Sequence, residues 1–95
     1  MNYKKIYDQL VEKCKVRGLD KKVLEGYFEK HHIVPRCMNG GDEPDNLVLF
    51  TAREHFIAHM LLWKVYPKDS NLFHAAWMMS NRSLQNRDSK LYATL

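Results

Sequence analysis

Two short runs of strand-like composition, Tyr27 to Val34 and Asn46 to Phe50, enclose a segment that reads as turns: Asn39-Gly40-Gly41-Asp42 followed by Pro44-Asp45. The β-branched and aromatic content of the flanking runs is that of strands. Pro35 cannot donate to a sheet ladder and so ends the first strand near its own position. Directly after the second run, Thr51-Ala52-Arg53-Glu54 has the form of a helix capping box, with Thr51 as N-cap and Glu54 three residues on. The helix it opens should run to Val65 or Tyr66, because Pro67 forbids much more. Phe56, Ile57, Met60, Leu61, Leu62, Trp63 and Val65 surround its axis almost completely, which marks it as the central helix. The order is therefore strand, long loop, strand, helix, with the strands forming an antiparallel hairpin around an open loop of about ten residues.

The rest of the chain reads as helices flanking that unit. Tyr3, Ile6, Tyr7, Leu10, Val11 and Cys14 fall on one stripe at helical spacing, and Gly18 is a stop signal. Asp20 to Gly26 reads either as one helical turn or as a loop. After the Pro67-Lys68-Asp69-Ser70 turn, Leu72, Ala75, Ala76 and Met79 give a second amphipathic stripe, with Asp69 or Ser70 as its cap. Ser80 to Ser89 is polar and reads as loop, and residues 90–95 as a short last helix or a frayed end. The expected fold class is a small α+β single domain over residues 1–95. It comprises an N-terminal amphipathic helix (1–18), a strand–strand–helix core (27–66) and a C-terminal helical extension (70–95).

Composition narrows the function. Hydrophobic residues make up 45% and aromatic residues 12%, which suits a folded globule rather than a disordered segment. Two cysteines without C-x-x-C spacing exclude a disulfide framework and a Cys-rich zinc knuckle. No apolar run approaches a membrane span, so no membrane partner is expected and a cytoplasmic setting is the default. The net charge of +4 is unevenly spread: +3 over residues 1–30, −2 over 31–60 and +3 over 61–95. Basic flanks around a central segment suit a polyanionic partner, although solvated surface would give the same pattern.

Four of the five histidines lie in the central segment. His55 and His59 are four apart on the expected helix, which sets both rings on one face, close enough to share an ion. His31 and His32 are neighbours on a strand and point to opposite faces. One of the two can therefore join the helical pair, and the other is left to act on water; strand register decides which. Three protein ligands with open positions mark a catalytic metal site, since a structural zinc takes four. His74 stands apart and reads as a packing or surface residue, and Trp63 and Trp77 as core or interface aromatics.

His31-His32-Ile33-Val34-Pro35, then Gly40-Gly41, then Asn46-Leu47, then His55-x-x-x-His59 resembles the signature of the HNH nucleases, in particular the small enzymes of phages and mobile elements. The resemblance covers residues 27–66 and implies the ββα-metal (His-Me finger) core, a hairpin packed on a central helix. It assigns His31, His55 and His59 as metal ligands and His32 as the general base. It also assigns Asn46 as the residue that orients the base or ties the hairpin together. Glu29, two residues before His31, matches the position of an acidic residue supporting the ligands in some relatives, or else is a solvent-facing strand residue. Arg36 and Arg53 flank the site and are the candidates for clamping neighbouring phosphates.

The resemblance implies a metal-dependent DNA endonuclease using one metal ion, with products carrying a 5′-phosphate and a 3′-hydroxyl. Three imidazoles suit Zn²⁺, Ni²⁺, Co²⁺ or Mn²⁺ better than Mg²⁺, which prefers oxygen ligands. One such centre cuts one strand, so nicking with weak sequence preference is expected, by a monomer or homodimer or with a specificity-providing protein partner. The setting it implies is a bacterial or phage-infected cell. The competing reading is a non-catalytic DNA-binding or assembly module that keeps the fold and a structural metal. An intact His32 and Asn46 argue against it, because a structural site needs neither.

Overall fold

A computed structural model describes residues 1–85. Helix α1 spans Tyr3–Lys15, strand β1 Glu29–His32, strand β2 Leu47–Phe50, helix α2 Ala52–Val65 and helix α3 Ser70–Gln85. Among the described residues the sheet is the two-stranded antiparallel hairpin, and its four paired positions run from Glu29 opposite Phe50 to His32 opposite Leu47. The expected α+β arrangement, a hairpin on a central helix with helices on either side, is what forms.

Each boundary follows from local chemistry. The Asn2 side chain caps α1 by accepting from the Lys5 N–H at 3.0 Å. The helix ends at Lys15, and Gly18 takes the left-handed conformation (φ +75°) that lets the chain turn away. The ambiguous segment after it forms a 3₁₀ turn, Lys21–Val23, capped by Asp20. At α2 the capping box closes as the sequence predicts. The Thr51 hydroxyl accepts from Glu54 N–H at 3.2 Å, and the Thr51 N–H donates to Glu54 Oε1 at 2.8 Å. Asp69, rather than Ser70, caps α3, accepting from the N–H groups of Asn71 and Leu72.

Three expectations need correction. The strands are shorter than the runs that announced them: Tyr27, Phe28, Ile33, Val34 and Asn46 lie outside the paired positions, although Ile33 N–H still donates to the Asn46 carbonyl. The loop is not open: it carries 3₁₀ turns at Arg36–Met38 and Pro44–Asn46 and is laced shut from within. The polar stretch from Ser80 is not loop up to Gln85 but the last turns of α3. It contains no glycine or proline to stop a helix already under way. The short helix expected at 90–95 lies outside the described residues.

The core joins the three helices to β2. Tyr7, Val11 and Cys14 of α1 meet Val48 and Phe50 of β2, Ala58 and Leu62 of α2, and Leu72 of α3. Along β2, Val48, Leu49 and Phe50 are buried in succession, so both faces of this strand are covered. The helix expected to be apolar all round is central, yet only Ala52, Ala58 and Leu62 are fully buried on it. Small residues face the sheet there, which brings the helix axis close to the hairpin and its histidines within reach of β1.

Candidate metal centre

The register decides which histidine faces the helix. His31 pairs with Val48 and shares its face with the core, while His32 pairs with Leu47 on the other face. His31 is buried at 3% exposure, and its ring lies 4.9 Å from Phe50 and 5.2 Å from both His55 and His59, centroid to centroid. His31, His55 and His59 each offer a ligand nitrogen, and these atoms all lie within 4.8 Å of one another. The three are close enough to hold one ion.

The donor set fits a divalent cation. Burial first, then the neighbouring His59, His55 and His32, pushes the His31 pKa down to about 2. Burial and then His55, opposed by Glu29, bring His59 down to about 4. Both rings are therefore neutral near pH 7, the form that ligates metals. The Nε2 atoms of His55 and His59 are 3.1 Å apart, close to the roughly 3.3 Å expected for two nitrogens on one tetrahedral Zn²⁺. His59 Nδ1 is buried without a hydrogen-bond partner.

Two of the three candidate ligands are held from behind. Glu29, buried at 9% exposure, accepts from His55 Nδ1 at 2.7 Å, and Tyr27 donates to its other oxygen at 2.5 Å. With Nδ1–H committed to a carboxylate, His55 presents Nε2. The solvent-facing alternative for Glu29 is thus not what forms. His31 Nε2 lies 2.8 Å from the Tyr7 hydroxyl, which donates to the Ile33 carbonyl at 2.7 Å.

His32 sits on the rim with different partners. Its Nε2 is 2.7 Å from Asp42 Oδ1, and Arg36 lies over both, with Nη2 2.9 Å from the same oxygen and Nε 3.3 Å from His32 Nε2. The hydrogen bond from His32, then those from Arg36, hold the Asp42 carboxyl below its usual range. Asn46 makes no bond to His32. Its Oδ1 accepts from Val34 N–H, and its Nδ2 donates to the carbonyls of Val34 and Gly41, while its own carbonyl receives Ile33 N–H. Of the two roles open to it, Asn46 takes the tying one. His31, His32, His55, His59, Arg36, Lys30 and Pro35 line a shared pocket of about 210 Å³. Arg53 is exposed on the first turn of α2 and is not part of that lining.

Sequence reasoning missed Tyr7 and Asp42 as parts of this site. Tyr7 falls on the apolar stripe of α1, which it also serves, and nothing local tells a core tyrosine from one whose hydroxyl reaches His31. Asp42 was absorbed by the turn signature. Its five-residue lead over Leu47, the partner of His32 across the hairpin, becomes meaningful only once the loop is folded.

Comparison with known proteins agrees with the resemblance. No protein-family model and no solved structure matches the chain. Three proteins of Enterobacteria phage T4 are similar to it. Probable mobile endonuclease E is 43% identical over 95 residues, all of this chain and 64% of that protein. Probable mobile endonuclease D is 54% identical over 81 residues, 85% of this chain and 31% of that protein. Probable mobile endonuclease B is 58% identical over 66 residues, 70% of this chain and 25% of that protein. The chain thus spans from a quarter to just under two thirds of the length of these relatives. It is a homologue of phage proteins named mobile endonucleases, consistent with a phage HNH-like endonuclease.

Proposed function

We propose that this chain carries the catalytic centre of a metal-dependent endonuclease that hydrolyses phosphodiester bonds in DNA. The observation that carries the reading is the cluster of His31, His55 and His59 with ligand atoms within 4.8 Å, beside a fourth imidazole, His32, on the same pocket. Relatives named endonucleases support it. His31, His55 and His59 would hold one divalent ion, with Zn²⁺, Ni²⁺, Co²⁺ or Mn²⁺ better suited than Mg²⁺ to three nitrogens. Such an ion supplies electrostatic stabilisation of the charge that grows on a phosphate under attack.

The remaining work falls to side chains. His32 takes a proton from the attacking water, acting as general base. Arg36, with 70% of its side chain exposed, binds a phosphate oxygen and leaves Asp42 as the phosphate arrives. Asn46 keeps the loop closed so that His32 and Arg36 stay on one rim. Glu29 holds His55 in its ligating tautomer. Arg53, outside the pocket, serves at most a more distant phosphate. In-line attack by water gives 5′-phosphate and 3′-hydroxyl ends. One centre cuts one strand, so the product is a nick, and contacts to backbone rather than base edges make sequence preference weak.

The test is supercoiled plasmid cleavage by metal-stripped protein with Mg²⁺, Mn²⁺, Co²⁺, Ni²⁺ or Zn²⁺ restored. Metal-dependent nicking is expected, with His32→Ala slower by about 10²–10⁴-fold while still binding the ion. His31→Ala should instead lose the ion. A protein that binds metal and DNA but cuts with no ion would be a non-catalytic DNA-binding module.

A further inference from the structure

Helix α1 lies outside the strand–strand–helix unit that carries the histidines, yet one of its side chains touches a ligand. The Tyr7 hydroxyl is 2.8 Å from His31 Nε2 and 2.7 Å from the Ile33 carbonyl oxygen, and Tyr7 itself is buried at 2% exposure. We propose that Tyr7 is a positioning residue for the metal centre. Its hydroxyl holds His31 in the Nε2–H tautomer, so that His31 offers Nδ1 to the ion.

A phenol has one proton to give and can also accept. A carbonyl oxygen can only accept, so the 2.7 Å contact with Ile33 consumes the Tyr7 proton. Were that proton turned to His31 instead, two oxygen lone pairs would face each other at 2.7 Å in a buried site, a costly arrangement. Both short contacts are satisfied in one way: His31 Nε2–H donates to Tyr7, and Tyr7 donates to Ile33. The far end of this relay is itself fixed, because Ile33 N–H donates to the Asn46 carbonyl at 2.8 Å. His31 Nδ1 is then the lone-pair nitrogen, and it makes no hydrogen bond among the described residues.

The consequence is an asymmetric ligand set. His55 is held through Nδ1 by Glu29 and presents Nε2. His31 is held through Nε2 by Tyr7 and presents Nδ1. His59 has no hydrogen-bond partner on Nδ1, so no such bond fixes its tautomer. Supporting partners of metal-binding histidines fix both tautomer and ring orientation, and their loss typically costs 10–100-fold in metal affinity. Helix α1 is therefore part of the site and not only a cover for the core.

The inference rests on His31 being a ligand, but its test needs neither DNA nor cleavage. Long-range ¹H–¹⁵N spectra of the full chain, free of metal, should show His31 protonated at Nε2 and bare at Nδ1. On addition of ¹¹³Cd²⁺, scalar coupling should appear at His31 Nδ1 and at His55 Nε2, with the His31 Nε2 proton retained. Tyr7→Phe should lower affinity for Zn²⁺ about 10–100-fold by calorimetry. Val11→Ala, a buried change on the same helix away from the ligands, should lower thermal stability and leave that affinity within about twofold. Coupling at His31 Nε2, no uptake of Cd²⁺ or Zn²⁺, or equal affinity in wild type and Tyr7→Phe would each overturn the proposal. A chain that passes these tests but cuts no DNA would keep it while losing the nuclease reading.

Discussion

Gly40 leaves no room for a side chain. A Cβ there would collide with the Val34 carbonyl and come within 3.0 Å of Asn46 Nδ2, the two groups whose hydrogen bond closes the loop. Both neighbours are held, so neither can yield cheaply. Gly40→Ala should destabilise the protein by about 2–3 kcal/mol, at the upper end of ordinary overpacking. Urea unfolding measures this, and a change below about 0.5 kcal/mol would show the loop to be slack. At this scale the sequence was legible in kind but incomplete in role. Gly40 and Asn46 stood out as turn and family residues, yet the bonds they make depend on Val34 and Gly41 arriving from the other side of the loop. His31 and His32 were separable in principle by alternation, but their assignment waited on a register that only pairing with β2 supplies. Asp42 and Tyr7 were invisible as site residues, because each also satisfies a commoner role at its own position.

At the scale of the element, α2 is the clearest case of local chemistry deciding structure, and of tertiary structure adding to it. Its capping box was readable from four residues. What could not be read is that Arg17, beyond the end of α1, donates to Glu54 Oε1 at 2.7 Å and to the Leu49 carbonyl at 2.8 Å. One guanidinium thus ties α1, β2 and α2 together. Burial pushes the Glu54 carboxyl up, but hydrogen bonds from Arg17 and from the Thr51 backbone outweigh it and hold the pKa at about 2, below the ordinary 4.5. A depressed folded-state pKa contributes stability that is fully present above about pH 4.5 and is lost as pH falls toward 2. Glu54→Gln should therefore cost about 2 kcal/mol near pH 7, between a lost cap and a broken buried pair. The gap to wild type should narrow on going to pH 3. Denaturant unfolding of both proteins at the two pH values is the check, and an unchanged gap would place the cost in packing rather than charge. In α3 the buried stripe of Leu72, Ala76 and Met79 was legible by period, while its length was not. Stop signals are read from glycine and proline, and the helix past Ser80 contains neither.

For the whole molecule, a metal held by His31, His55 and His59 would be coupled to the fold. The three candidate ligands come from β1 and α2, so they converge only when hairpin and helix are packed. An ion bound by the folded state alone stabilises it by about 2.7 kcal/mol at a hundred times its dissociation constant. For a domain of this size that is a rise in Tm of roughly 10–20 °C. Thermal unfolding of metal-stripped protein with and without Zn²⁺ should show this rise, and His59→Ala should remove most of it. An equal rise in the variant would mean that the ion binds elsewhere. Among the described residues no helix is long and apolar enough to cross a membrane.

By itself the sequence determined the parts that depend on neighbours along the chain. These are the order of strand, turn-rich loop, strand and helix, the stop of α1 at Gly18, the capping box of α2, the i, i+4 placement of His55 and His59, and the motif that pointed to an HNH-like nuclease. Tertiary structure alone decided the rest: that His31 rather than His32 turns to the helix, that Asn46 ties the loop rather than touching His32, and that Tyr7, Glu29 and Asp42 each take one imidazole. The division has a physical cause. Caps, turns and periodicity are set by hydrogen bonds and rotations within a few residues. Which nitrogen of a histidine carries its proton is set by whatever oxygen the fold brings to it, here from as far away in sequence as α1.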